Sequence, residues 1–362
     1  MKILMSGGGT GGHLVPGIAL YEELCARGIE CRYVLRNTDM KYNVASRIAE
    51  SDRIFVEIQG ISRKLSFKTP IYIFKLIRAF FSIFRIIRKW NPDAVLTTGG
   101  YVSNPVALSA RILRKPLFIA EQNSVAGVTN RYYSKFARAV YTTFPQTAKL
   151  RTMKIIHTGS PSIFREKSSR DTALKFFGLD GYKHSVGITG GSQGAQKINS
   201  AVTAILPELL SRNTGVIWSM GAVEYERLEK EGALAEITGK YKNVKPFRFI
   251  ERMDLFFSAA DCVVMRGGAS SISESIQIDV PAVVIPITNS PDNHQYLNAD
   301  YLASNSAGIL LTENELSPES LLNSIDAIVK NKKSYLKNLE LLKKDNPAKA
   351  IAEHLLESVT PR

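Results

Sequence analysis

Glycine, histidine and small polar residues cluster at five places along this 362-residue chain where apolar runs end. The first cluster, Ser6-Gly7-Gly8-Gly9-Thr10-Gly11-Gly12-His13-Leu14-Val15-Pro16, follows the apolar run Ile3-Leu4-Met5. Its glycines let the backbone approach a ligand closely. The helix expected over Gly17–Arg27 adds unpaired N–H groups and a positive dipole end. Together these suit a phosphate or another anion. His13, at the junction of loop and helix, is the first candidate for a general base, since histidine is the side chain best fitted to take a proton near neutral pH.

A second loop of the same kind, Thr189-Gly190-Gly191-Ser192-Gln193-Gly194-Ala195, joins an apolar run at Ser185–Ile188 to a helix expected from Gln196. Ser192 offers a hydroxyl where a diphosphate would sit. The third cluster, Arg266-Gly267-Gly268-Ala269-Ser270-Ser271-Ile272-Ser273-Glu274, lies between the run Cys262–Met265 and a helix. Its small residues let a nucleotide lie against the backbone, and Glu274 can accept two hydrogen bonds from a ribose diol. In the fourth, Ser290 and Pro291 read as the N-cap and first residue of a helix. His294, Gln295 and Asn298 beyond them suit sugar hydroxyls. In the fifth, Glu121, Gln122 and Asn123 follow the run Leu117–Ala120 and look like a site wall. No metal-ligand spacing occurs, so the charge of a diphosphate would fall to helix N-termini and basic side chains. No cofactor is expected.

The elements that must position these clusters alternate strand and helix, the pattern of a parallel α/β sheet. Strands are expected at Ile3–Met5, Cys31–Leu35, Ile54–Ile58, Ala94–Thr97, Leu117–Ala120, Ala139–Thr142 and Lys154–His157. In the second half they are expected at Ser185–Ile188, Gly215–Ser219, Val244–Phe247, Cys262–Met265, Ala282–Ile285 and Gly308–Leu311. Helices fill the gaps. The pattern gives two doubly wound domains facing each other across a cleft, 1–160 and 161–345. A last helix, 346–362, is placed as returning to the first domain.

Composition agrees with a globular protein of this size, with 44% hydrophobic and 22% charged residues. Three cysteines without metal spacing read as reduced thiols, and residues 1–20 do not read as a signal peptide. Charge is uneven: residues 1–160 hold 24 Lys+Arg against 9 Asp+Glu, while 161–362 hold 23 against 24. The first half therefore expects an anionic partner. The segment Pro70–Trp90 is as long as a bilayer span, but Lys75, Arg78, Arg85, Arg88 and Lys89 interrupt it. At about 100° per residue the five fall within an arc of roughly 140°. Two readings stay open. One is a crossover helix with a solvated basic face. The other is membrane contact by this helix or by the adjoining 60–69, where Ile61, Leu65 and Phe67 alternate with Arg63, Lys64 and Lys68.

As a set and in this order, GGTGGH (Gly8–His13), GGYVSNP (Gly99–Pro105), EQNSVAGVTN (Glu121–Asn130), GGSQGAQKIN (Gly190–Asn199), Phe249-Ile250, RGGASSISE (Arg266–Glu274) and DNHQYLNA (Asp292–Ala299) resemble the MurG family. These are the undecaprenyl-pyrophosphoryl-MurNAc-pentapeptide N-acetylglucosaminyltransferases of bacterial peptidoglycan synthesis. The resemblance implies a GT-B fold of two Rossmann-like domains. It implies inverting transfer of GlcNAc from UDP-GlcNAc to the C4 hydroxyl of the MurNAc in lipid I, giving lipid II and UDP. The implied setting is peripheral, on the cytoplasmic face of the bacterial cell membrane. Its partners would be anionic lipid, met through the N-terminal domain, and other cell-wall synthesis enzymes as a candidate class; nucleic acid is not among them.

Carried onto this sequence, the resemblance makes Thr10, Gly11 and Gly12 the lining of the donor sugar and phosphate region, with His13 near the acceptor. Asn123 would contact sugar, Ser192 the diphosphate and Ile250 the uracil. Ala269, Ser270, Ser271, Ile272, Ser273 and Glu274 would hold the nucleoside, and Gln295 would reach GlcNAc hydroxyls. The chain departs from the family at Gly159-Ser160-Pro161-Ser162-Ile163, where Gly-Asn-Pro-Val-Arg is usual. Arg165 is the candidate substitute for the missing arginine.

Three rivals compete with this reading. Gly7, Gly9 and Gly12 also fit a dinucleotide fingerprint, but Leu35 is followed by Arg36 and Asn37 instead of an acid, which would suit NADP at best. That reading also leaves the second and third clusters unexplained. A non-catalytic basic protein that binds nucleic acid or membrane through its first half predicts an affinity that depends steeply on salt and is indifferent to UDP-GlcNAc. A GT-B enzyme with another lipid-linked or glycoside acceptor is the third.

Overall fold

The computed structural model describes residues 1–59, 69–164, 167–191 and 194–359. Two compact units emerge. One comprises Met1–Ile163 and Lys344–Arg362, the other Phe164–Lys343.

The first unit is a seven-stranded, all-parallel sheet. Its strands are β1 (Lys2–Ser6), β2 (Glu30–Leu35), β3 (Arg53–Phe55), β4 (Ala94–Thr97), β5 (Leu117–Glu121), β6 (Ala139–Thr142) and β7 (Ile155–His157), in the order β3-β2-β1-β4-β5-β6-β7. Its helices are α1 (Gly11–Ala26), α2 (Thr69–Trp90), α3 (Ser103–Ile112) and α4 (Val128–Tyr133). Strands buried on both faces read as continuous apolar runs, which is why the runs in the sequence marked them. Alternation then splits each strand between two cores. Ile3, Met5, Tyr33 and Leu96 pack with Leu14 and Ile18 of α1, while Leu4, Val34 and Val95 pack with Ile83 and Ile87 of α2 and Val106 of α3.

The second unit repeats the plan with six parallel strands. They are β8 (His184–Thr189), β9 (Thr214–Ser219), β10 (Val244–Phe247), β11 (Cys262–Met265), β12 (Ala282–Val284) and β13 (Gly308–Leu310), ordered β10-β9-β8-β11-β12-β13. Between and after them run α5 (Arg170–Phe177), α6 (Gln196–Ser211), α7 (Ala222–Lys230), α8 (Ala233–Lys240), α9 (Met253–Ala259), α10 (Ala269–Gln277), α11 (His294–Ser304), α12 (Pro318–Lys330) and α13 (Lys332–Leu342). The last helix, α14 (Pro347–Val359), belongs to the first unit. Its Ile351, Ala352 and Leu355 join the core around α1, and Tyr141 Oη lies 2.9 Å from His354 Nδ1.

In both sheets the strand order reverses beside the first strand, between β1 and β4 and between β8 and β11. Such switch points open a crevice at the carboxyl ends of the strands, where doubly wound folds bind ligands. All the glycine-rich clusters except the Gly159 turn follow one of these four strands.

Three local expectations are corrected. Helix α1 starts at Gly11, six residues before Gly17, so Gly11, Gly12 and His13 form its first turn and Pro16 lies inside it. A proline there removes a helix donor; the Thr98 hydroxyl donates to the His13 carbonyl (2.7 Å) in the same turn. Between β2 and β3 the chain makes three short 3-10 turns instead of a helix. Ser290 and Pro291 are the N-cap and first residue of a helical turn as expected, but it is a 3-10 turn, Pro291–Asn293. Asp292 (φ 54°) and Asn293 (φ 56°) lie in the left-handed region, so α11 begins only at His294. Asp and Asn tolerate that conformation better than most residues.

Helix α2 uses its two faces differently. Ala79, Ile83, Ile87 and Trp90 are buried against the sheet and α3, whereas Ile71, Ile73, Phe74, Ile77 and Phe81 are exposed, Phe74 to 66%. No helix among the described residues is long and apolar enough to cross a membrane. The adjoining segment with Ile61, Arg63, Lys64, Leu65, Phe67 and Lys68 lies outside the described residues.

Candidate active site

In the first unit the site is built around the turn joining β1 to α1. Thr10 caps α1 through its carbonyl, which accepts from His13 N–H (3.2 Å) and Leu14 N–H (3.1 Å). After β4, Gly99 and Gly100 lie against this turn. Gly100 has φ +81°, and a Cβ there would collide with the Gly8 carbonyl oxygen, so only glycine serves.

His13 is held by two acceptors. Its Nδ1 lies 3.0 Å from the Thr98 carbonyl oxygen and 3.0 Å from Gln122 Oε1. Gln122 is itself oriented, because its Nε2 donates to the Ala120 carbonyl (3.0 Å). With acceptors on both sides Nδ1 must carry the hydrogen, which in the neutral ring places the lone pair on Nε2. A histidine in that tautomer can take a proton at Nε2.

The polar run after β5 is not the simple wall expected. Glu121 and Gln122 are buried, and only Asn123 stays half-exposed. The Glu121 carboxylate organises the loop, accepting from Asn123 N–H (2.9 Å), Gly127 N–H (3.0 Å) and Asn130 Nδ2 (2.9 Å). Glu121 thus supports the segment that carries Gln122 and Asn123.

Asp39 escaped the sequence reading. It is fully buried, its Oδ1 accepts from Gly9 N–H (3.0 Å), and its Oδ2 accepts from Arg36 N–H (3.0 Å). The Arg36 guanidinium closes the pair at 2.6 Å. The only sequence signal was an acid shortly after the second strand, four residues beyond Leu35.

In the second unit the corresponding turn follows β8, and Gly191 N–H donates to Thr189 Oγ1 (3.2 Å). Ser192 lies outside the described residues. After β11, Arg266 turns away from solvent to pair with Glu313 (2.8 Å) and to donate to the Ile285 carbonyl (3.1 Å). Burial pushes the Glu313 carboxyl up, but bonds from Thr288, Lys197 and Arg266 outweigh it and bring it down to about 2. Gly267 is wedged under α11, where a Cβ would strike the Gln295 carbonyl, and its own carbonyl accepts from buried Asn298 Nδ2 (3.0 Å).

Residues 269–274 form the start of α10, and the structure sorts them. Ala269 and Ile272 are buried, Ile272 completely, so that side chain belongs to the core and can offer a ligand only its backbone. Ser271 and Ser273 are half-buried, and the Ser270 hydroxyl is buried with no hydrogen-bond partner. Glu274 is 8% exposed, and burial alone pushes its carboxyl up to about 8. Ile250, in the loop after β10, is buried beside exposed Phe249. Gln295 commits Oε1 to Ile287 N–H (3.1 Å), which leaves its amide nitrogen as the group that can donate to a sugar hydroxyl.

At the departure from the usual motif, Ser160 is buried and Ile163 packs against the core around α1. Apolar packing occupies the position where an arginine was expected. Arg165, the candidate substitute, lies outside the described residues. Among the described residues no group of three or more His, Cys, Asp or Glu side chains could hold a metal ion.

Two Rossmann-like units, each with a glycine-rich turn at its switch point, define a doubly wound α/β protein with ligand sites at the strand ends, and the family models make it a glycosyltransferase. The glycosyltransferase family 28 N-terminal domain matches residues 3–142, and the family 28 C-terminal domain matches 185–355. A protein of Flavobacterium psychrophilum is 34% identical over 99% of this chain and 98% of its own length. One from Listeria monocytogenes is 34% identical over 99% of both chains. Both are named UDP-N-acetylglucosamine--N-acetylmuramyl-(pentapeptide) pyrophosphoryl-undecaprenol N-acetylglucosamine transferase. The crystal structure of Acinetobacter baumannii MurG superposes with a TM-score of 0.77 at 25% identity, covering 98% of this chain and 99% of that one. The chain belongs to this family of N-acetylglucosamine transferases.

Proposed function

We propose that the protein transfers GlcNAc from UDP-GlcNAc to the C4 hydroxyl of the MurNAc in a lipid-linked, pyrophosphoryl MurNAc-pentapeptide, with inversion and without a metal. The observation that carries this reading is the relationship over 99% of the chain to transferases whose name states both substrates. The second unit is the donor's. Glu274 takes the ribose hydroxyls, the start of α10 and the Ile250 backbone take the nucleoside, Gln295 the GlcNAc, and the turn with Ser192 the diphosphate. The first unit is the acceptor's, with His13 at its centre and Asn123 on the sugar, and Thr10, Gly11 and Gly12 are assigned to the donor sugar and phosphate.

In the chemical step the C4 oxygen attacks the anomeric carbon as the bond from that carbon to the UDP oxygen breaks. The hydroxyl proton passes to His13 Nε2, whose partner nitrogen is held by Thr98 and Gln122. Negative charge growing on the leaving diphosphate is met by backbone N–H groups at helix starts. The lipid tail of the acceptor fits a peripheral protein that meets the membrane with the exposed face of α2. There Ile71, Phe74, Ile77 and Phe81 are exposed beside Arg78 and Arg85.

The test supplies purified protein with radiolabelled UDP-GlcNAc and a short-chain acceptor analogue in the presence of EDTA. Label in the lipid product with UDP released is the expected result. UDP-GlcNAc binding without transfer would defeat the acceptor assignment. Neither binding nor transfer would defeat the donor assignment and make the Ser160/Ile163 departure its first cause.

A further inference from the structure

A cavity of about 500 Å³ lies in the first unit at the edge of the glycine-rich turn, and the proposed reaction gives it no task. Gly9 forms part of its rim. Arg36 and Lys41 come from the turns after β2, Val56, Glu57 and Ile58 from the segment after β3, and Lys75 from α2. This is the volume of an ordinary ligand site. Its wall is built, since Arg36 is fixed by the fully buried Asp39, which also holds Gly9 N–H. One carboxylate therefore ties the cationic wall to the turn that leads into His13.

We propose that this cavity is the subsite for the stem peptide of the acceptor, binding a peptide carboxylate through Lys41 and Lys75, with Arg36 a fixed part of its wall. The inference rests on the acceptor reading above. Muramic acid carries its lactyl-peptide arm on O3, next to the reacting C4 hydroxyl, whereas its pyrophosphate is on C1 across the ring. A sugar presenting C4 to His13 sends its peptide, not its phosphate, into the immediate neighbourhood, and Gly9 is four residues from His13. The lining agrees with a peptide. Exposed Glu57 would repel a diphosphate but can accept from peptide N–H groups, while Val56 and Ile58, packed into the core beside α2, reach the cavity with only a small part of their surface. Arg36 is already balanced by Asp39, so Lys41 and Lys75 are the cations left to answer a carboxylate.

The experiment compares two short-chain acceptors with the same sugar and pyrophosphate, one bearing the pentapeptide and one trimmed to the lactyl amide, in detergent without vesicles. The variant Lys41→Met/Lys75→Met keeps the aliphatic stems and removes the charges, and Lys75→Glu serves as a second, charge-reversed form. Wild type should prefer the peptide-bearing acceptor in kcat/KM, and that preference should fall about tenfold or more in either variant. An equal loss for both acceptors would assign the lysines to the pyrophosphate and overturn the proposal. An unchanged ratio, or no preference in wild type, would also overturn it. Wild type that binds UDP-GlcNAc but glycosylates neither acceptor would remove the acceptor reading and the subsite together.

Discussion

The two units share one plan and carry glycine-rich turns at equivalent switch points, yet the candidate base of the first and the candidate nucleoside-binding groups at α10 of the second are held differently. In the first unit the protein binds its own machinery: His13 Nδ1 is held by Thr98 and Gln122, Gln122 by Ala120, the loop beyond by Glu121, and Gly9 by Asp39. In the second, Ser270 Oγ and Arg266 Nε are buried without partners, and the Glu274 carboxyl is perturbed by burial alone. A group that must move a proton gains from fixed orientation before substrate arrives. A group that must recognise a nucleotide gains from hydrogen-bonding capacity left open. That capacity costs the free protein about 1–3 kcal/mol for each buried unsatisfied group. The contrast implies that damage to the first unit's site should act on turnover, and damage to the second unit's on donor affinity.

The largest expected effect breaks or keeps the first half of that contrast. His13→Ala should lower kcat at saturating substrates by ~10²–10⁴, the usual contribution of a positioned general base. Donor KM should change little. An unchanged kcat would remove His13 from the base role.

Glu274→Ala probes the other half. Losing bonds to a charged acceptor costs ~1.5–3 kcal/mol, so donor KM should rise ~10- to 100-fold while acceptor KM barely moves. Equal rises in both would count against the ribose assignment.

How far these sites could be read from the sequence follows from how local their causes are. Strands such as Ala94–Thr97, Ala139–Thr142 and Cys262–Met265 were legible to the residue, because a strand buried on both faces must be apolar throughout. The start of α1 was not. Glycines and Pro16 argue for a loop, and only tertiary contacts such as Thr98 to the His13 carbonyl accompany helix from Gly11. Asp39 was invisible as a support because its partner Gly9 lies 30 residues away in the chain. Glu121 was legible as polar but not as inward-facing, since burial is a property of what surrounds it. Ile272 shows the same limit in reverse: a motif position can serve a ligand through its backbone while its side chain belongs to the core.

A second difference between the units is charge, and it sharpens the comparison on a smaller scale. The first unit carries the basic excess and the exposed apolar face of α2. Phe74→Ser/Phe81→Ser should reduce partitioning onto anionic vesicles by roughly tenfold or more, because fully burying one such side chain is worth about 1.5–3 kcal/mol. Activity on a detergent-solubilised acceptor should persist. Vesicle binding that survives the double substitution would return α2 to the role of an ordinary crossover helix.

The smallest effect is the one most specific to the second unit. Burial raises the Glu274 carboxyl from the ordinary 4.5 to about 8, so the free protein holds it mostly protonated at pH 7. The raised value means the folded state is favoured by the protonated form, and its contribution to stability is lost as pH rises from about 4.5 through about 8. Ribose hydroxyls donating to the carboxylate favour the opposite, ionised form. Nucleotide binding should therefore release a proton near neutrality, and affinity for UDP should rise with pH and level off above about 8. The ionised fraction grows from about a tenth at pH 7 to about a half at pH 8, a gain of ~5-fold in affinity. Calorimetry in buffers of different ionisation enthalpy reads the released proton directly. Glu274→Gln should abolish both the release and the slope, while the first unit's His13→Ala should leave them intact. A slope that survives Glu274→Gln would mean that another group titrates with the nucleotide, and that the open capacity at α10 does not hold the ribose.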